Sequence, residues 1–340
     1  MKVRIEDVAS EAGVSIATVS RVLNDHPVSE KARRNVEDAI AKLDYSPNLT
    51  ARGLIKGKSS RVGAIVYNLE NPYNSAILSA IERRLRQDGY LCNFASSTLR
   101  EKEESDTLKR LLDSGVEGLI IVDVDLKSEN SGMYAAINKH MPVVQINGNP
   151  DRTDTNCIMV DQKFGMSSVM DYFFELNHRD ILFIRGELPS LSSNQKEKVF
   201  RARMNEQDYD LDEYSILKVG LSNLMDGIDE TRQKFCEVWK KGRKPTAVFS
   251  CNEIMAIGVV QASWELELKI PEDFSLISHD NTFLSQLSNP PITTVDMTPA
   301  RLGYESAEMM IQLLKHDDPI PRKLIFYPEL IKRASCRSLE

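Results

Sequence analysis

IEDVASEAGVSIATVSRVLN, residues 5–24, contains two short amphipathic helices joined by a tight turn. Ile5, Val8, Ala9 and Ala12 recur at i, i+3, i+4 and i+7, the apolar stripe of one helix. Gly13 ends that helix, because glycine enters the left-handed conformation without a Cβ penalty. Ser15 is placed to cap a second helix. Along it Val19, Val22 and Leu23 face the first helix, and Ile16, Ala17, Ser20, Arg21 and Asn24 share the outward face. A third stripe follows behind Ser29, through Ala32, Val36, Ala39, Ile40 and Leu43. Three short helices with a glycine turn between the first two form the helix-turn-helix plan.

The outward face of the second helix carries chemistry. A plain solvated face would show Lys and Glu; this one shows Ile16 and Ala17 at its start and Arg21 a turn later. Small apolar groups can touch a thymine methyl, and an arginine fork can bond the O6/N7 edge of guanine. Ser15, Thr18, Asn24 and Asn48 are candidates for phosphate contacts, which position a helix without reading sequence. The same three helices could instead dock on a protein partner.

Charge distribution favours nucleic acid. The 340-residue chain carries a net charge of −7. Residues 1–61 hold 11 Lys/Arg against 8 Asp/Glu, and the remainder holds 32 against 42. A basic head on an acidic body fits a DNA-binding module joined to a domain with another task. The length allows two or three structural units. No apolar run approaches the roughly 18–20 residues of a membrane span. The opening MKVRIEDVAS lacks the apolar core of a signal peptide, so a cytoplasmic location is expected. Five scattered cysteines form no CxxC pair and read as free thiols, with no metal site.

From Arg61 onward, β-rich runs such as RVGAIVYNL, GLIIVDV and DILFIRG alternate with helical stretches such as SAILSAIERRLRQDG. That alternation predicts an α/β body with parallel sheets, in two doubly wound sets near 61–161 and 162–291. Ligands of such sheets bind at the C-terminal ends of strands. The residues there are Tyr73, Ser97, Asp123 and Asn147 in the first set, and Lys196, Asn252, Glu253 and Asp280 in the second. Together they suit a small polar ligand in a cleft between lobes; singly, each could be a helix cap.

An enzyme is a poor fit, and no cofactor is expected. No GxGxxG follows a strand, and neither HExxH nor GxSxG occurs. His279 beside Asp280 has no nucleophile placed with it. The run from Gly53 to Ser59 imitates a phosphate loop but has three residues between its glycines where four are needed, and no strand before it. A sugar-binding module without a DNA role is the other alternative, and the 60-residue head argues against it.

The chain resembles the lactose/galactose repressor (LacI/GalR) family. The match begins at IEDVASEAGVSIATVSRVLN, continues through VSEKARRNVEDAIAKLDYSPNLTARGL, and extends across nearly the whole sequence. The resemblance implies a head at 1–46, a hinge helix at 47–60 and a periplasmic-binding-protein-like body at 61–340. It assigns base reading to Ile16, Ala17 and Arg21 in a homodimer on a pseudo-palindromic operator. It makes Leu54 a wedge in the minor groove, where an apolar side chain opens a base step. Gly53 and Gly57 lower helicity there, so residues 47–60 read either as a helix that orders on DNA or as a plain linker. The body is implied to cross between lobes three times, with 292–323 returning to the first lobe and 324–340 to the second.

The cleft departs from the family pattern. Lys196 stands at the usual arginine, Asn147 at a common aspartate, and Asn252-Glu253 at the common Asn-Asp pair. Asn74 and Ser222 stand at positions that carry aromatic rings in some members. A purine effector is thereby disfavoured and a sugar, sugar acid or phosphorylated sugar favoured. An unresponsive or partner-regulated cleft also stays open. The expected function is an operator-binding transcription regulator, a repressor, controlled by that effector.

Overall fold

In the computed structural model the first helix, α1 (Ile5–Ala12), ends where Gly13 adopts φ 64°. The structure describes residues 3–23, 26–45, 59–97, 101–123, 129–149, 151–188, 190–220, 223–316 and 321–340. Helix α2 (Ile16–Leu23) starts at Ser15, whose hydroxyl accepts the Thr18 backbone N–H at 3.2 Å. Helix α3 (Glu30–Lys42) starts at Ser29, which accepts from the Ala32 N–H. Val8, Ala9, Ala12, Val19, Val22, Val36 and Ala39 form a small buried core.

Gly13 is required by this turn. A Cβ there would meet nothing within 4 Å, so its cost is conformational and not steric. A left-handed L-residue costs about 1–2 kcal/mol. Gly13→Ala should therefore destabilise the head by about 1 kcal/mol, read as faster hydrogen exchange of the Val8 and Val19 amides in the full chain. Gly13→Asn should cost less, because asparagine tolerates that region.

The chain divides into two compact units, Met1–Ser59 and Ser60–Glu340. In the larger unit, one lobe is built from β1 (Arg61–Tyr67), α4 (Pro72–Gln87), β2 (Leu91–Ser97), α5 (Glu101–Asp113), β3 (Gly118–Val122), α6 (Met133–Asn138), β4 (Val143–Ile146) and β5 (Asn156–Val160). The other begins with α7 (Gln162–Glu175), β6 (Ile181–Gly186), α8 (Leu191–Asn205), β7 (Ile216–Val219) and α9 (Leu224–Lys240). It continues with β8 (Ala247–Ser250), α10 (Glu253–Glu265), β9 (Ser275–Asp280), α11 (Phe283–Leu287) and β10 (Thr293–Asp296). Last come α12 (Pro299–Lys315), β11 (Lys323–Phe326) and β12 (Glu329–Ile331).

Two six-stranded sheets result, ordered β11-β5-β4-β3-β1-β2 and β12-β10-β9-β8-β6-β7. The recorded pairs are parallel except β10 with β12. Every residue of β3 and β5 is buried, as expected for strands covered by helices on both faces. Helix α12 lies against α4 with Gly303 at the closest approach; a Cβ there would collide with the Ile77 carbonyl oxygen.

The positions of two crossings differ from the sequence expectation. Residues 292–296 were expected in the first lobe, but Thr293–Asp296 pairs with Ile277–Asp280 in the second sheet. The chain returns to the first lobe only at Thr298, a left-handed residue (φ 45°) in front of α12. Residues 324–326 were expected in the second lobe, but Lys323–Phe326 pairs with Cys157–Val160 in the first sheet. These short runs have no periodicity that names a partner strand; backbone pairing alone places them.

Candidate functional site

The residues expected to read bases are exposed on the head. Ile16 is 48% exposed, and Ala17 and Arg21 are exposed, while Val19 and Val22 on the opposite side are buried. The Ser15 and Thr18 hydroxyls lie 2.9 Å apart and close the N-terminal cap of α2. Backbone N–H groups and the positive end of the helix dipole collect there, which suits a phosphate. Asn24, Asn48 and Leu54 lie outside the described residues, as do residues 47–58 of the hinge stretch.

In the body, a cleft of about 140 Å³ opens between the lobes. Tyr73, Asn74, Asp123 and Asn147 line it from the first lobe, and Lys196, Asn252 and Asp280 from the second. The strand-end rule brings them together because β1, β3 and β4 end on one side of the gap and β8 and β9 on the other. Asp123 (φ 55°), Asn147 (φ 53°) and Asp280 (φ 113°) hold positive φ. Such backbone strain clusters at binding sites, and Asp and Asn bear it better than most residues.

Hydrogen bonds fix the first-lobe wall. The Asn147 side-chain amide donates to Asp123 Oδ1 at 2.9 Å and to the Tyr73 hydroxyl at 3.2 Å, and its Oδ1 accepts the Val160 N–H at 3.3 Å. Asn71 caps α4 by accepting from the Tyr73 N–H, which sets where Tyr73 enters the cleft. Asn74 donates to the Tyr67 and Asn68 carbonyls and keeps a buried oxygen without a partner among the described residues. Across the gap, Lys196 is buried and donates to the Cys251 carbonyl at 3.3 Å. Glu70 spans the lobes: its carboxylate accepts the Leu224 N–H at the start of α9, at 2.9 Å.

The cleft carries several buried titratable groups. Burial, then the Glu253 charge, push the Asp280 carboxyl well above the usual range. Burial also raises Asp123, against the Asn147 hydrogen bond and the Lys196 charge. Burial and the neighbouring Asp123 raise the Tyr73 hydroxyl well above its ordinary value. His279 is buried, and burial with the Lys196 charge pushes its imidazole well down, to the neutral form. Three carboxyl groups, Asp123, Glu187 and Asp280, line the cleft with one ammonium, Lys196, and burial favours the neutral form of the two aspartic acids; such a wall offers little to an anionic ligand and suits hydroxyl groups.

One expected role needs correction. Glu253 does not reach the cleft: its carboxylate accepts the Thr282 N–H at 2.9 Å and the Thr282 hydroxyl, tying α10 to the start of α11. The side chain of Asn252 accepts the Met255 N–H at 3.0 Å and caps α10 while lining the cleft. The side chain of Ser97 and all of Ser222 lie outside the described residues. Sequence reading missed Asn68, Gln162, His279 and the Ser190–Ser193 turn, all of which line the cleft. NCIMV, just before Gln162, is a strand whose end could have been inspected like the others, and the serine cluster after DILFIRG marked a turn at another strand end.

Among the described residues, no cluster of His, Cys, Asp and Glu could hold a metal ion, and no helix is long and apolar enough to cross a membrane.

Residues 4–48 match the bacterial regulatory proteins of the lacI family, and residues 170–336 match a periplasmic binding protein-like domain. The chain is 30% identical to the HTH-type transcriptional repressor PurR of Histophilus somni, over 98% of this chain and 99% of that one. It is 27% identical to the HTH-type transcriptional regulator DegA of Bacillus subtilis, over 100% and 99%. Its fold overlays the lac repressor dimer bound to operator and the anti-inducer ONPF with a TM-score of 0.87, at 26% identity, covering 99% of this chain and 100% of that one. These relatives are regulators and not enzymes. The chain belongs to the LacI family of bacterial transcription regulators, a DNA-binding head on a two-lobed ligand-binding body.

Proposed function

We propose that this protein is a cytoplasmic repressor that binds a pseudo-palindromic operator as a homodimer and answers to an uncharged, polyhydroxylated effector, a sugar or sugar derivative, in the interlobe cleft. The carrying observation is the convergence of Asp123, Asn147, Tyr73 and Asp280 on one gap. Buried carboxylates and amides accept hydroxyl hydrogens at fixed geometry, and no second cation accompanies Lys196 among the described lining residues. That charge balance narrows the expected effector: sugar acids and phosphorylated sugars are the poorer candidates.

The effector acts through the angle between lobes. It shifts operator affinity by as much as it binds one lobe arrangement better than the other. Ile16, Ala17 and Arg21 read bases, Ser15, Thr18, Asn24 and Asn48 hold phosphates, and Leu54 wedges the minor groove at the centre of the operator. Opening a base step costs a few kcal/mol of unstacking, which the contacts made by the bent DNA must exceed. Leu54→Ala should therefore weaken operator binding about tenfold or more while barely changing binding to random DNA. Equal losses on both would remove the wedge.

The test of the effector is a thermal-shift screen of the full chain against neutral sugars, sugar phosphates, sugar acids and purines, followed by operator binding with each hit. A neutral sugar that shifts both the melting temperature and operator affinity supports the reading; a response to sugar phosphates alone overturns it. A purine-related effector is the second reading, favoured by kinship with the repressors named PurR.

A further inference from the structure

The cleft has a side chamber. A second cavity of about 110 Å³, nearly as large as the main one, adjoins it. Asn147, Gln162, Leu191 and Ser192 form walls of both. The side chamber is bounded on the first lobe by the ends of β4 and β5 and by Ile325 of β11, and on the second lobe by the first turns of α8, including Gln195.

Gln162 stands at the junction. It is 6% exposed, and its side-chain oxygen has no hydrogen-bond partner among the described residues. A buried acceptor left unsatisfied costs about 1–3 kcal/mol. The residue opens α7, directly after the chain crosses between lobes, so its amide cannot retreat to solvent without disturbing the crossing. A ligand group at the junction that donates a hydrogen bond removes the cost.

The two chambers have different walls. The main cleft is rich in acceptors and carries the Asp123 and Asp280 carboxylates. The side chamber mixes apolar Met159, Leu191 and Ile325 with polar Ser192 and Gln195. Its charged residues are one of each sign, Asp161 and Lys163, and the Asp161 carboxylate already accepts the Phe164 N–H at 3.0 Å. A mixed wall of this kind fits a ring with a C–H face and hydroxyl edges, and its balanced charge fits a neutral one.

Resting on the sugar reading above, we infer that the effector is a two-unit neutral glycoside of disaccharide size. One ring sits among the carboxylates of the main cleft and the other occupies the side chamber. A hydroxyl beside the linkage donates to Gln162 Oε1.

Calorimetry on the full chain with paired probes tests this: a panel of neutral disaccharides and the monosaccharides that compose them. The best disaccharide should bind at least about tenfold more tightly than either component, since one satisfied buried acceptor and a second buried ring exceed 1.4 kcal/mol. Ile325→Trp, at a half-exposed position on an edge strand, should fill the side chamber. It should erase the disaccharide advantage while leaving monosaccharide affinity unchanged. Gln162→Leu, which removes the acceptor at the junction and also alters the main-cleft wall, should weaken the disaccharide by more than it weakens the monosaccharide. Monosaccharides binding as tightly as disaccharides, with no effect of Ile325→Trp, would overturn the two-unit effector and leave the sugar reading standing. A folded, operator-binding chain that takes neither class of sugar would overturn both.

Discussion

Asp280→Asn should make the empty protein more heat-stable at neutral pH and nearly deaf to its effector. Asp280 is 7% exposed at the end of β9, beside Glu253 and across the gap from Asp123. Burial and those two charges raise its folded pKa well above the ordinary carboxyl range, while the unfolded chain keeps the ordinary value. The folded state thus holds the proton more tightly. Stability falls as pH rises from the ordinary carboxylate range toward the folded pKa, and stays lowered above it. Asparagine cannot ionise, and its Oδ1 can still accept the Glu253 N–H, so the variant escapes the penalty. Its melting temperature should exceed the wild type by a few degrees near pH 7, and the gap should close as pH falls toward 4, about the unfolded value.

The effector pays the other side of that exchange. Asparagine replaces one carboxyl oxygen facing the sugar with an NH2 donor, and a hydroxyl left without its acceptor in the buried cleft costs about 1–3 kcal/mol, so the neutral sugar that binds best should weaken by roughly 5–150-fold. Calorimetry and operator release read the same change. A raised melting temperature with unchanged sugar affinity would reduce Asp280 to a structural carboxylate. A lowered melting temperature would mean that the ionised form has a compensating partner in the fold.

How far the sequence reaches depends on what fixes each feature. The head is legible because its determinants are local: the 3.6-residue stripe from Ile5 to Ala12, Gly13 at positive φ, and the Ser15 and Ser29 caps all act within one turn of chain. The cleft is legible where a strand end supplies a side chain directly, as at Asp123, Asn147 and Asp280. It fails where two neighbours compete for the same place. Asn252 and Glu253 both follow β8; the first lines the cleft, and the second turns toward Thr282, a choice set by a residue 29 positions away. Gln162 and Ser190–Ser193 come from a lobe crossing and from the cap and first turn of α8, whose position depends on how the two sheets face each other. Thr293–Asp296 and Lys323–Phe326 are four-residue strands, too short for periodicity to say which sheet accepts them. Non-local pairing decides those cases, and one sequence contains no record of it.

Arg21→Ala should erase the preference for a single base pair in each half-site while sparing the rest of the operator sequence. Arg21 is exposed on α2 on the face opposite buried Val19 and Val22, one turn beyond Ile16 and Ala17. A helix seated in the major groove by its N-terminal cap carries that turn along the base edges. A bidentate arginine–guanine pair discriminates by about 1–3 kcal/mol, so the preferred base should lose roughly 5–150-fold against its alternatives. The measurement is competition binding of the full chain to an operator selected from random DNA and to every single-base-pair variant of it. Removal of a phosphate contact has a different signature: binding weakens by one factor on all sequences, and the salt dependence drops by about one counterion. Arg21→Lys separates charge from geometry. It keeps the positive charge but loses the planar fork, so it should restore the salt dependence without restoring the base preference. If lysine recovers both, the contact is a point charge on the backbone, and base reading passes to Ile16 and Ala17 alone.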